Sequence, residues 1–583
     1  MVFKTIIGIS AYYHDSAIAL IINGEIKFAA QEERYTREKN TAAFPFNAIR
    51  SCLEEFDLTL AEVDAVVFYE KPFLKLERII QNFYEIAPNG FMQFMPFFKD
   101  WTAKKLFLKN EIRKKLREID GNNGHLVPVF FSSHHLSHAA SAFFPSPFGK
   151  AAILTLDAVG EWATASIGQG DQNKIVLEKA MNFPNSVGIL YSSFTYFLGF
   201  SVNSGEYKMM GLAPLGDLNS DQTKRFIAII KKEIVTVFSD GSIKLNQHYF
   251  KYRSGLKMIR KKRWEQLFGA KKKPNESFNQ RHKNIALAIQ TVLEEIILKM
   301  AITAKKLTGS SNLCLAGGVA LNSVATGKLV ESKIFEQIWI QPAAGDAGGA
   351  LGAALAFYYS KNDRFVSAKD KMNHGFIGPA HKKSEILGAL RLKKLKYEYF
   401  DEAFLLNQKV AKFLAQDKVV GWVKGRLEFG PRALGGRSIL ASPKSKGMKD
   451  RINRRIKFRE DFRPFAPVML SGEAEKYFNV CHDASYMQYV HRITENQREV
   501  GLEQFPSVLH GDSSARIQTV TSNEHPLYGI LNAFKVQTGI GMLINTSFNR
   551  NKEPIVQGLE SIIEVFLMSD IDILVIDNFF IKK

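Results

Sequence analysis

Two stretches of the chain repeat one arrangement of apolar and polar positions. Near the N-terminus, the apolar runs "FKTIIGIS" and "SAIALII" are followed by an Asn23-Gly24 turn and the alternating segment "EIKFAAQEE". From residue 150 the runs "KAAILTLD", "ATASIGQ" and "KIVLEKA" follow in the same order. Short apolar runs separated by turns such as Asn-Gly are typical of antiparallel hairpins. The pattern therefore predicts two three-stranded meanders, each with small and acidic residues at the end of its first strand.

The segments after the second meander predict further α/β structure. A helical pattern from about residue 283 leads to the runs "NLCLAGGVA" and "QIWIQP" and then to the glycine-rich "AAGDAGGALGAALAFYY". A strand, a glycine turn and a helix together offer backbone N–H groups to an anion. A polar stretch follows, and the helix "AFLLNQKVAKFLAQD" with the strand "KVVGWVKG" opens a second α/β region. We divide the chain into residues 1–360, a linker at 361–384 and a second domain at 385–583.

Composition narrows the class of protein. With 583 residues, of which 46% are apolar and 12% aromatic, the chain supports more than one core, and general disorder is excluded. No apolar run approaches the ~18 residues of a membrane-spanning helix. Three cysteines without disulfide or metal spacing favour a reducing, cytoplasmic location. The net charge of +20 suits phosphate-bearing ligands, nucleic acid or an anionic membrane surface.

A histidine-rich segment, "SSHHLSHAASAFF", is the first candidate site. His134 and His138 are four residues apart, so a helix would place both imidazoles on one face. Structural histidines are the commoner explanation of such a pair. Asp157 at the end of a predicted strand and Asp346 at a strand-to-helix junction favour a site, because α/β folds build sites at such positions. Two neutral imidazoles with carboxylates suit Fe(II), Zn or Mn.

The second region carries a concentration of positive charge. Residues 424–463 contain eight arginines and five lysines against four acidic residues, interleaved with glycines. Arginine forks bind phosphate in a bidentate way. Nucleic-acid binding is the rival interpretation, and it predicts solvent-facing aromatic residues. We expect Phe429, Phe458 and Phe465 in the core instead, so the pattern favours a small phosphate ligand.

Several motifs, taken in order, closely resemble the O-carbamoyltransferase family, which includes nodulation-factor, cephalosporin and aminoglycoside carbamoyltransferases. The resemblance covers essentially the whole chain. In the first region it rests on "GISAYYHDSA", His134-x-x-x-His138, Asp157, "NSGEYKMMGLAPLG", "LAGGVALNS" and "GDAGGALGAA". In the second it rests on "EFGPRALGGRSILASP" and "NTSFNRNKEPIV".

The resemblance implies a fold and a metal site. The N-terminal domain is expected to be a duplicated actin-like (ASKHA) ATPase-type domain, related to the metalloprotein that transfers threonylcarbamoyl groups to tRNA. The C-terminal domain is expected to be a YrdC-like α/β domain. The implied ligands of Fe(II), or of another divalent metal, are His134, His138, Asp157 and Asp346. His14 matches a family active-site position and is our candidate base or carbamoyl-orienting group, with a buried structural histidine as the alternative.

The family reaction brings ATP and carbamoyl phosphate together, and the motifs and the arginine-rich region supply candidates for binding these polyanions. Candidates for binding the nucleotide, ATP with Mg, are Gly205, Glu206, Lys208, Gly317, Gly318 and Asn322. Candidates for binding carbamoyl phosphate or the carbamoyl adenylate are Arg432, Arg437, Lys457, Arg463, Arg516, Asn545, Ser547 and Asn549.

The implied reaction has two stages. Carbamoyl phosphate and ATP give carbamoyl adenylate in the second domain, and the first domain transfers the carbamoyl group to a hydroxyl of a sugar, an antibiotic or a polysaccharide precursor. The sequence does not identify this acceptor. Two alternatives stay open: an enzyme like the tRNA threonylcarbamoyl transferases, and an actin-like ATPase or kinase with a phosphate-binding module. A nucleic-acid partner is the least favoured interpretation, because it rests on charge alone.

Overall fold

The computed structural model of the chain describes residues 3–90, 107–121, 127–255, 257–274, 276–363, 369–480 and 483–583. These residues form two units. Unit 1 contains residues 1–27 and 42–371, and unit 2 contains residues 28–41 and 372–583. The expected division had one contiguous domain on each side of a linker at 361–384, of which residues 364–368 lie outside the described part of the chain. One difference is that the boundary falls between residues 371 and 372, inside the expected linker. The other is residues 28–41, which non-local hydrogen bonds such as Ala29 N–H to Ile377 O, at 2.9 Å, join to unit 2.

The described residues before 372 contain two five-stranded sheets of the same topology. The strands are β1 Thr5–Ser10, β2 Ala17–Ile22, β3 Glu25–Gln31, β4 Ala65–Phe68, β5 Val129–Phe131, β6 Lys150–Leu156, β7 Ala163–Asp171, β8 Lys174–Asn182, β9 Val235–Val237, β10 Ile243–Leu245, β11 Asn312–Ala316 and β12 Gln337–Ile340. The first sheet has the order β3-β2-β1-β4-β5 and the second the order β8-β7-β6-β11-β12, while β9 and β10 pair with each other in a separate two-stranded sheet. In each, an antiparallel meander is followed by two parallel strands. This repetition confirms the predicted duplicated, actin-like architecture.

The hairpin that begins the first sheet turns at the predicted dipeptide. Asn23 and Gly24 have φ angles of 54° and 83°. Positive φ at both central residues is the requirement of the tight hairpin turn that Asn-Gly favours. The Asn-Gly dipeptide was therefore sufficient to predict this turn.

Helices cover the sheets and connect the parallel strands. In the described residues up to 371, the α-helices are α1 Glu33–Thr36, α2 Phe46–Phe56, α3 Pro72–Ile86, α4 Leu108–Ile119, α5 His134–Phe143, α6 Val187–Phe197, α7 Glu206–Leu212, α8 Asp221–Ile229, α9 Lys261–Phe268, α10 Gln280–Thr308, α11 Ser323–Glu331 and α12 Asp346–Lys361. Of these, α1 belongs to unit 2. Trp264 and Phe268 of the basic helix α9 are buried and pack against Phe194 and Phe197, so they do not offer a stacking surface to nucleic acid.

Unit 2 is an α/β unit built on an eight-stranded sheet. Its strands are β13 Glu398–Tyr399, β14 Val420–Val423, β15 Arg437–Ala441, β16 Ala466–Leu470, β17 Val490–Arg492, β18 Ser514–Arg516, β19 Gln518–Val520, β20 Met542–Ser547, β21 Ile573–Ile576 and β22 Phe579–Lys582. The eight-stranded sheet has the order β13-β22-β21-β14-β15-β20-β16-β19, and β17 pairs with β18 in a separate two-stranded sheet. Its later helices are α13 Lys383–Leu392, α14 Ala403–Ala415, α15 Met448–Arg451, α16 Ser471–Tyr477, α17 Arg498–Gln504, α18 Tyr528–Thr538 and α19 Leu559–Met568. Helix α14 and strand β14 confirm the predicted opening of this region, and their apolar residues pack around Trp422 and Phe534.

Within the described residues, no helix combines the length and the apolar character that crossing a bilayer requires.

Candidate functional site

Helix α5 presents the two histidines that the sequence singled out. Its first residue, His134, donates its backbone N–H to both carboxylate oxygens of Glu161, at 2.9 and 3.1 Å. A carboxylate at this position satisfies an N–H group that has no partner inside the helix, and it interacts favourably with the helix dipole. Because His134 and His138 are four residues apart, their rings share one face of α5, with the Nε2 atoms 3.1 Å apart. Both side chains are buried.

Two carboxylates meet these imidazoles. Asp157 follows β6, and its Oδ2 lies 3.1 Å from His134 Nε2. Asp346 begins α12, and its Oδ1 lies 3.7 Å from His134 Nε2 and 3.5 Å from His138 Nε2. One ligand atom from each of the four side chains lies within 4.8 Å of the others. The structure therefore brings all four predicted metal ligands together, and we call them the four-ligand cluster.

Small residues in α12 allow this helix to approach α5 and the first sheet closely. A Cβ on Gly352 would lie 1.7 Å from the backbone oxygen of Ser137, in the middle of α5. A Cβ on Gly8 of β1 would lie 1.8 Å from the backbone oxygen of Ala350. The glycine-rich sequence after Asp346 is thus a packing requirement that sets the distance between the carboxylate and the imidazoles.

The charges in the four-ligand cluster suit a cation. Burial alone would lower the pKa of His134, but the hydrogen bond to Asp157 and the Asp346 carboxylate raise it to about 9. Burial would raise the pKa of Asp346, but His14 and His134 bring it down to about 2. Two carboxylates that stay ionised, facing two imidazoles with convergent nitrogens, form the donor set that divalent transition metals prefer. The residues present therefore fit the implied metal.

His14 lies beside this cluster, in the turn after β1. Its Nδ1 is 3.0 Å from Asp15 Oδ2, and its Nε2 is 3.7 Å from Asp346 Oδ2. Burial would lower the pKa of His14, but Asp346 and the hydrogen bond to Asp15 raise it to about 9. The ring is partly exposed, so it can also contact a bound molecule.

The predicted nucleotide-binding residues divide into two groups. Gly318 adjoins the four-ligand cluster, because its N–H donates to Asp157 Oδ1 at 3.2 Å, and Gly317 precedes it with φ 91°. Asn322 has a structural role: its Oδ1 accepts from Ala325 N–H at 3.0 Å and caps α11, and its Nδ2 donates to buried Gln290 at 3.0 Å.

The remaining three candidates lie at the start of α7. Glu206 accepts hydrogen bonds from Ser192 Oγ at 2.7 Å and from Asn203 N–H at 3.2 Å. Gly205 donates its N–H to Ser201 O at 2.7 Å, and Lys208 donates its N–H to Gly205 O at 2.9 Å. Their contact with a nucleotide stays a prediction.

Unit 2 contains a second notable group of side chains, which we call the cationic cluster: Lys457, Arg459 and Arg463. The Lys457 side chain is buried and contacts Ser547 O at 2.6 Å, Ser547 Oγ at 3.1 Å and the side chain of Asn549. Burial, with Arg459 and Arg463 nearby, holds the pKa of Lys457 well below its usual value. Positive charge that is buried beside more positive charge would be stabilised by an anion.

Other predicted anion-binding residues lie in the surrounding loops and strands. Arg432, Arg463 and Arg516 are partly exposed. Asn545 is buried in β20, and its Nδ2 donates to Ala433 O at 3.1 Å and to Gln518 Oε1 at 2.8 Å. Asn545 therefore supports the loop that precedes β15.

Arg437 is fully buried at the start of β15. Its Nη1 donates to Gly425 O at 3.0 Å and to Gly436 O at 2.9 Å. Its Nε and Nη2 have no hydrogen-bond partner among the described residues. One edge of this guanidinium holds backbone, and the other is available for bonding.

One expectation about the aromatic residues is wrong. Phe429 and Phe465 are buried as expected, but Phe458 is 55% exposed and has a φ of 46°. Its neighbour Lys457 takes the buried position and reaches Ser547 and Asn549, so the chain turns Phe458 outward. Positive φ at a bulky residue is uncommon and occurs where the surroundings over-determine the backbone.

Two family models match the chain, one in each of its two regions. Residues 5–355 match the family model described as "Carbamoyltransferase N-terminus", and residues 411–583 match "Carbamoyltransferase C-terminus". The chain belongs to the carbamoyltransferase family.

Curated relatives cover this carbamoyltransferase over most of its length. The uncharacterized protein sll1178 of Synechocystis sp. is 44% identical over 99% of this chain and 96% of its own. Nodulation protein NolNO of Sinorhizobium fredii is 33% identical over 98% of this chain and 80% of its own. Nodulation protein NolO of Bradyrhizobium diazoefficiens is 35% identical over 77% of this chain and 79% of its own. The chain is accordingly a transferase of the carbamoyl group.

Two residues near the four-ligand cluster of this carbamoyltransferase, Glu161 and Arg78, were missed by reasoning from sequence. Glu161 caps α5 and also accepts from Lys71 N–H at 2.7 Å. Arg78 in α3 is buried. Burial lowers the pKa of its guanidinium, and the nearby Tyr13 and Glu70 oppose this shift only in part. Single polar residues inside helices and loops carry no periodic signal, so only their place in the fold reveals them.

Proposed function

We propose that this carbamoyltransferase is an ATP-dependent O-carbamoyltransferase that works in two stages. In the first, carbamoyl phosphate, ATP and one water give carbamoyl adenylate, pyrophosphate and phosphate. In the second, a hydroxyl of the acceptor attacks the carbamoyl carbon, which gives a carbamate ester and AMP. The observation that carries the proposal is the four-ligand cluster in a chain of this family: two imidazoles and two ionised carboxylates within 4.8 Å.

The cationic cluster supports placing the first stage in unit 2. Carbamoyl phosphate and ATP are both polyanions, and bringing them together requires fixed positive charge. Lys457 is buried, and its contacts to Ser547 and Asn549 are to neutral oxygens, so an anion bound beside it would stabilise its ammonium form. Arg432, Arg463 and Arg516 supply guanidinium groups suited to phosphate. Asn545 and Arg437 contribute by holding the backbone of the loop that precedes β15, at Ala433 and Gly436.

The four-ligand cluster supports placing the transfer stage in unit 1. His134, His138, Asp157 and Asp346 would hold a divalent metal, Fe(II) by resemblance to the family. A metal bound there supplies Lewis-acid polarisation of a phosphoryl or carbonyl oxygen. His14 lies next to Asp346 with its ring partly exposed, in a position to orient the carbamoyl group or to exchange a proton with the acceptor hydroxyl. The N–H groups of the Gly317-Gly318 turn are additional donors for developing negative charge.

The test is an analysis of products by phosphorus NMR with ATP, carbamoyl phosphate, Mg²⁺ and Fe(II). AMP and pyrophosphate are expected, whereas ADP would indicate a kinase or simple ATPase and refute the proposal. Arg432→Ala should abolish pyrophosphate release, and His138→Ala should preserve it but block transfer. A reaction that requires threonine, bicarbonate and tRNA, and that modifies the tRNA, would favour the threonylcarbamoyl alternative.

A further inference from the structure

Residues 28–41 come from the N-terminal part of the sequence but belong to unit 2. They contain two arginines, Arg34 and Arg37, that contact loops hundreds of residues away in the chain. We propose that Arg34, assisted by Arg37, is a positioning residue for the carbamoyl phosphate and ATP site of unit 2. The inference rests on the function proposed above and names residues that neither the motifs nor the family model assign.

Arg34 holds the loop that carries Arg432. Its side chain is only 3% exposed, and its Nη2 donates to Gly430 O at 2.7 Å and to Gln31 Oε1 at 2.8 Å. Gly430 has a φ of 122°, a conformation that side chains other than glycine rarely adopt. A charge-assisted hydrogen bond to this carbonyl therefore fixes the peptide two residues before Arg432.

The opposite end of the same loop is fixed by a different group. Glu428 is buried, and its Oε1 accepts the N–H groups of Leu434, Gly436 and Arg437 at 2.8, 3.3 and 3.2 Å. Arg34 thus supplies an anchor near the start of the loop, at Gly430, that residues 428–437 do not supply themselves.

Arg37 holds the loop that carries Asn549. Its Nη1 donates to Ile555 O at 2.9 Å, and its Nη2 lies 3.4 Å from Glu553 Oε2. The backbone oxygen of Glu553 accepts a hydrogen bond from Asn549 Nδ2. Asn549 in turn contacts Lys457, so Arg37 acts on the cationic cluster through two intermediate contacts.

The charge of Arg34 is compensated by the carboxylate of Glu33. This favours a positioning role for Arg34 over direct binding of a phosphate group. Its Nη1 lies 3.1 Å from Glu33 Oε1, and the other oxygen of Glu33 accepts Asn40 N–H at 2.8 Å. This buried pair keeps residues 33–40 in a fixed turn. Arg34 therefore shapes the site and leaves the phosphate contacts to Arg432 and Lys457.

The experiment compares full-length wild type, Arg34→Gln and Arg34→Lys in carbamoyl-phosphate-dependent exchange of labelled pyrophosphate into ATP. Arg34→Gln should raise KM for carbamoyl phosphate or ATP by about tenfold or more, the effect of losing a charged hydrogen bond, with a smaller change in kcat. Arg34→Lys should recover part of the loss, because it keeps one cationic donor. Arg391→Gln removes an exposed arginine of unit 2 and should behave as wild type.

Three further readouts decide between positioning and general structural damage. Hydrogen exchange of peptides that cover residues 430–433 should accelerate in Arg34→Gln, because Arg34 holds the Gly430 carbonyl. Exchange of the Leu434, Gly436 and Arg437 amides, which Glu428 holds, should change less, and the metal content of the four-ligand cluster in unit 1 should not change. Arg37→Gln, at a partly exposed side chain, should raise KM in the same direction if Arg34→Gln does not fold.

Unchanged KM, kcat and loop exchange in Arg34→Gln would overturn the inference. A parallel loss of metal and of activity would also overturn it. If wild type shows no carbamoyl-phosphate-dependent exchange of pyrophosphate into ATP, the proposed function is refuted, and the inference with it.

Discussion

Replacing Gly352 by alanine is a direct test of how α12 positions Asp346. The new Cβ would lie 1.7 Å from Ser137 O and 2.8 Å from Ser141 N, both backbone atoms of α5. The two helices must separate by on the order of 1.5 Å before these contacts become ordinary van der Waals distances. Asp346 moves with α12, while His134 and His138 stay with α5.

The size of this shift predicts a loss of metal binding. Metal–ligand distances tolerate only about 0.2 Å, so a displacement several times larger should weaken the binding of Co²⁺ or Zn²⁺ by about 10–100-fold, as disturbed support of metal ligands does. The overpacked interface should also reduce the free energy of unfolding by about 1–3 kcal/mol. Isothermal titration with Co²⁺ and urea denaturation measure the two effects.

The control is Gly388→Ala in α13, where a Cβ meets no atom within 4 Å. Alanine is the better helix former by about 1 kcal/mol, so this variant should be at least as stable as wild type and bind metal normally. Metal affinity of Gly352→Ala equal to that of wild type would refute the reasoning that α12 sets the ligand geometry.

Two further predictions concern residues with structural roles. Asn322→Ala removes the cap of α11 and should lower the free energy of unfolding by about 1 kcal/mol; unchanged stability in urea would contradict the capping role. His381 donates to Gln557 O, and burial, with Arg437 nearby, lowers its pKa to about 4. Since the unfolded chain binds this proton below pH ~6.5 and the folded chain only near pH 4, acid destabilises the folded state over that window. The loss should be about 2 kcal/mol between pH 7 and pH 5. In His381→Gln this contribution of about 2 kcal/mol should disappear. A pH profile of the free energy of unfolding equal to that of wild type would show that His381 does not have the lowered pKa.

Where the signal is local, sequence reasoning reached the right structure. Asn23-Gly24 makes the predicted turn, and His134 and His138 share a helix face because helical periodicity requires it. Asp157 and Asp346 follow strands that the apolar pattern revealed, and the ends of such strands meet at one edge of an α/β sheet. The structure accordingly brings these four side chains together.

Where the decisive contact is non-local, sequence reasoning gave less. Arg34 contacts Gly430, which is 396 residues away along the chain, and nothing in its neighbourhood marks residues 28–41 as part of unit 2. Phe458 is apolar, like a core residue. It points to solvent because its neighbour Lys457 occupies the buried position, where it contacts oxygen atoms of Ser547 and Asn549. Asn322 lies in a family motif, and its capping of α11 depends on a helix start that the motif does not define.

In the proposed function, carbamoyl activation depends on the cationic cluster and not on the four-ligand cluster. The direct measurement is carbamoyl-phosphate-dependent exchange of labelled pyrophosphate into ATP by wild type, Lys457→Met and His138→Ala. We expect exchange in wild type and in His138→Ala, and none in Lys457→Met. Loss of exchange in His138→Ala together with retention in Lys457→Met would contradict it.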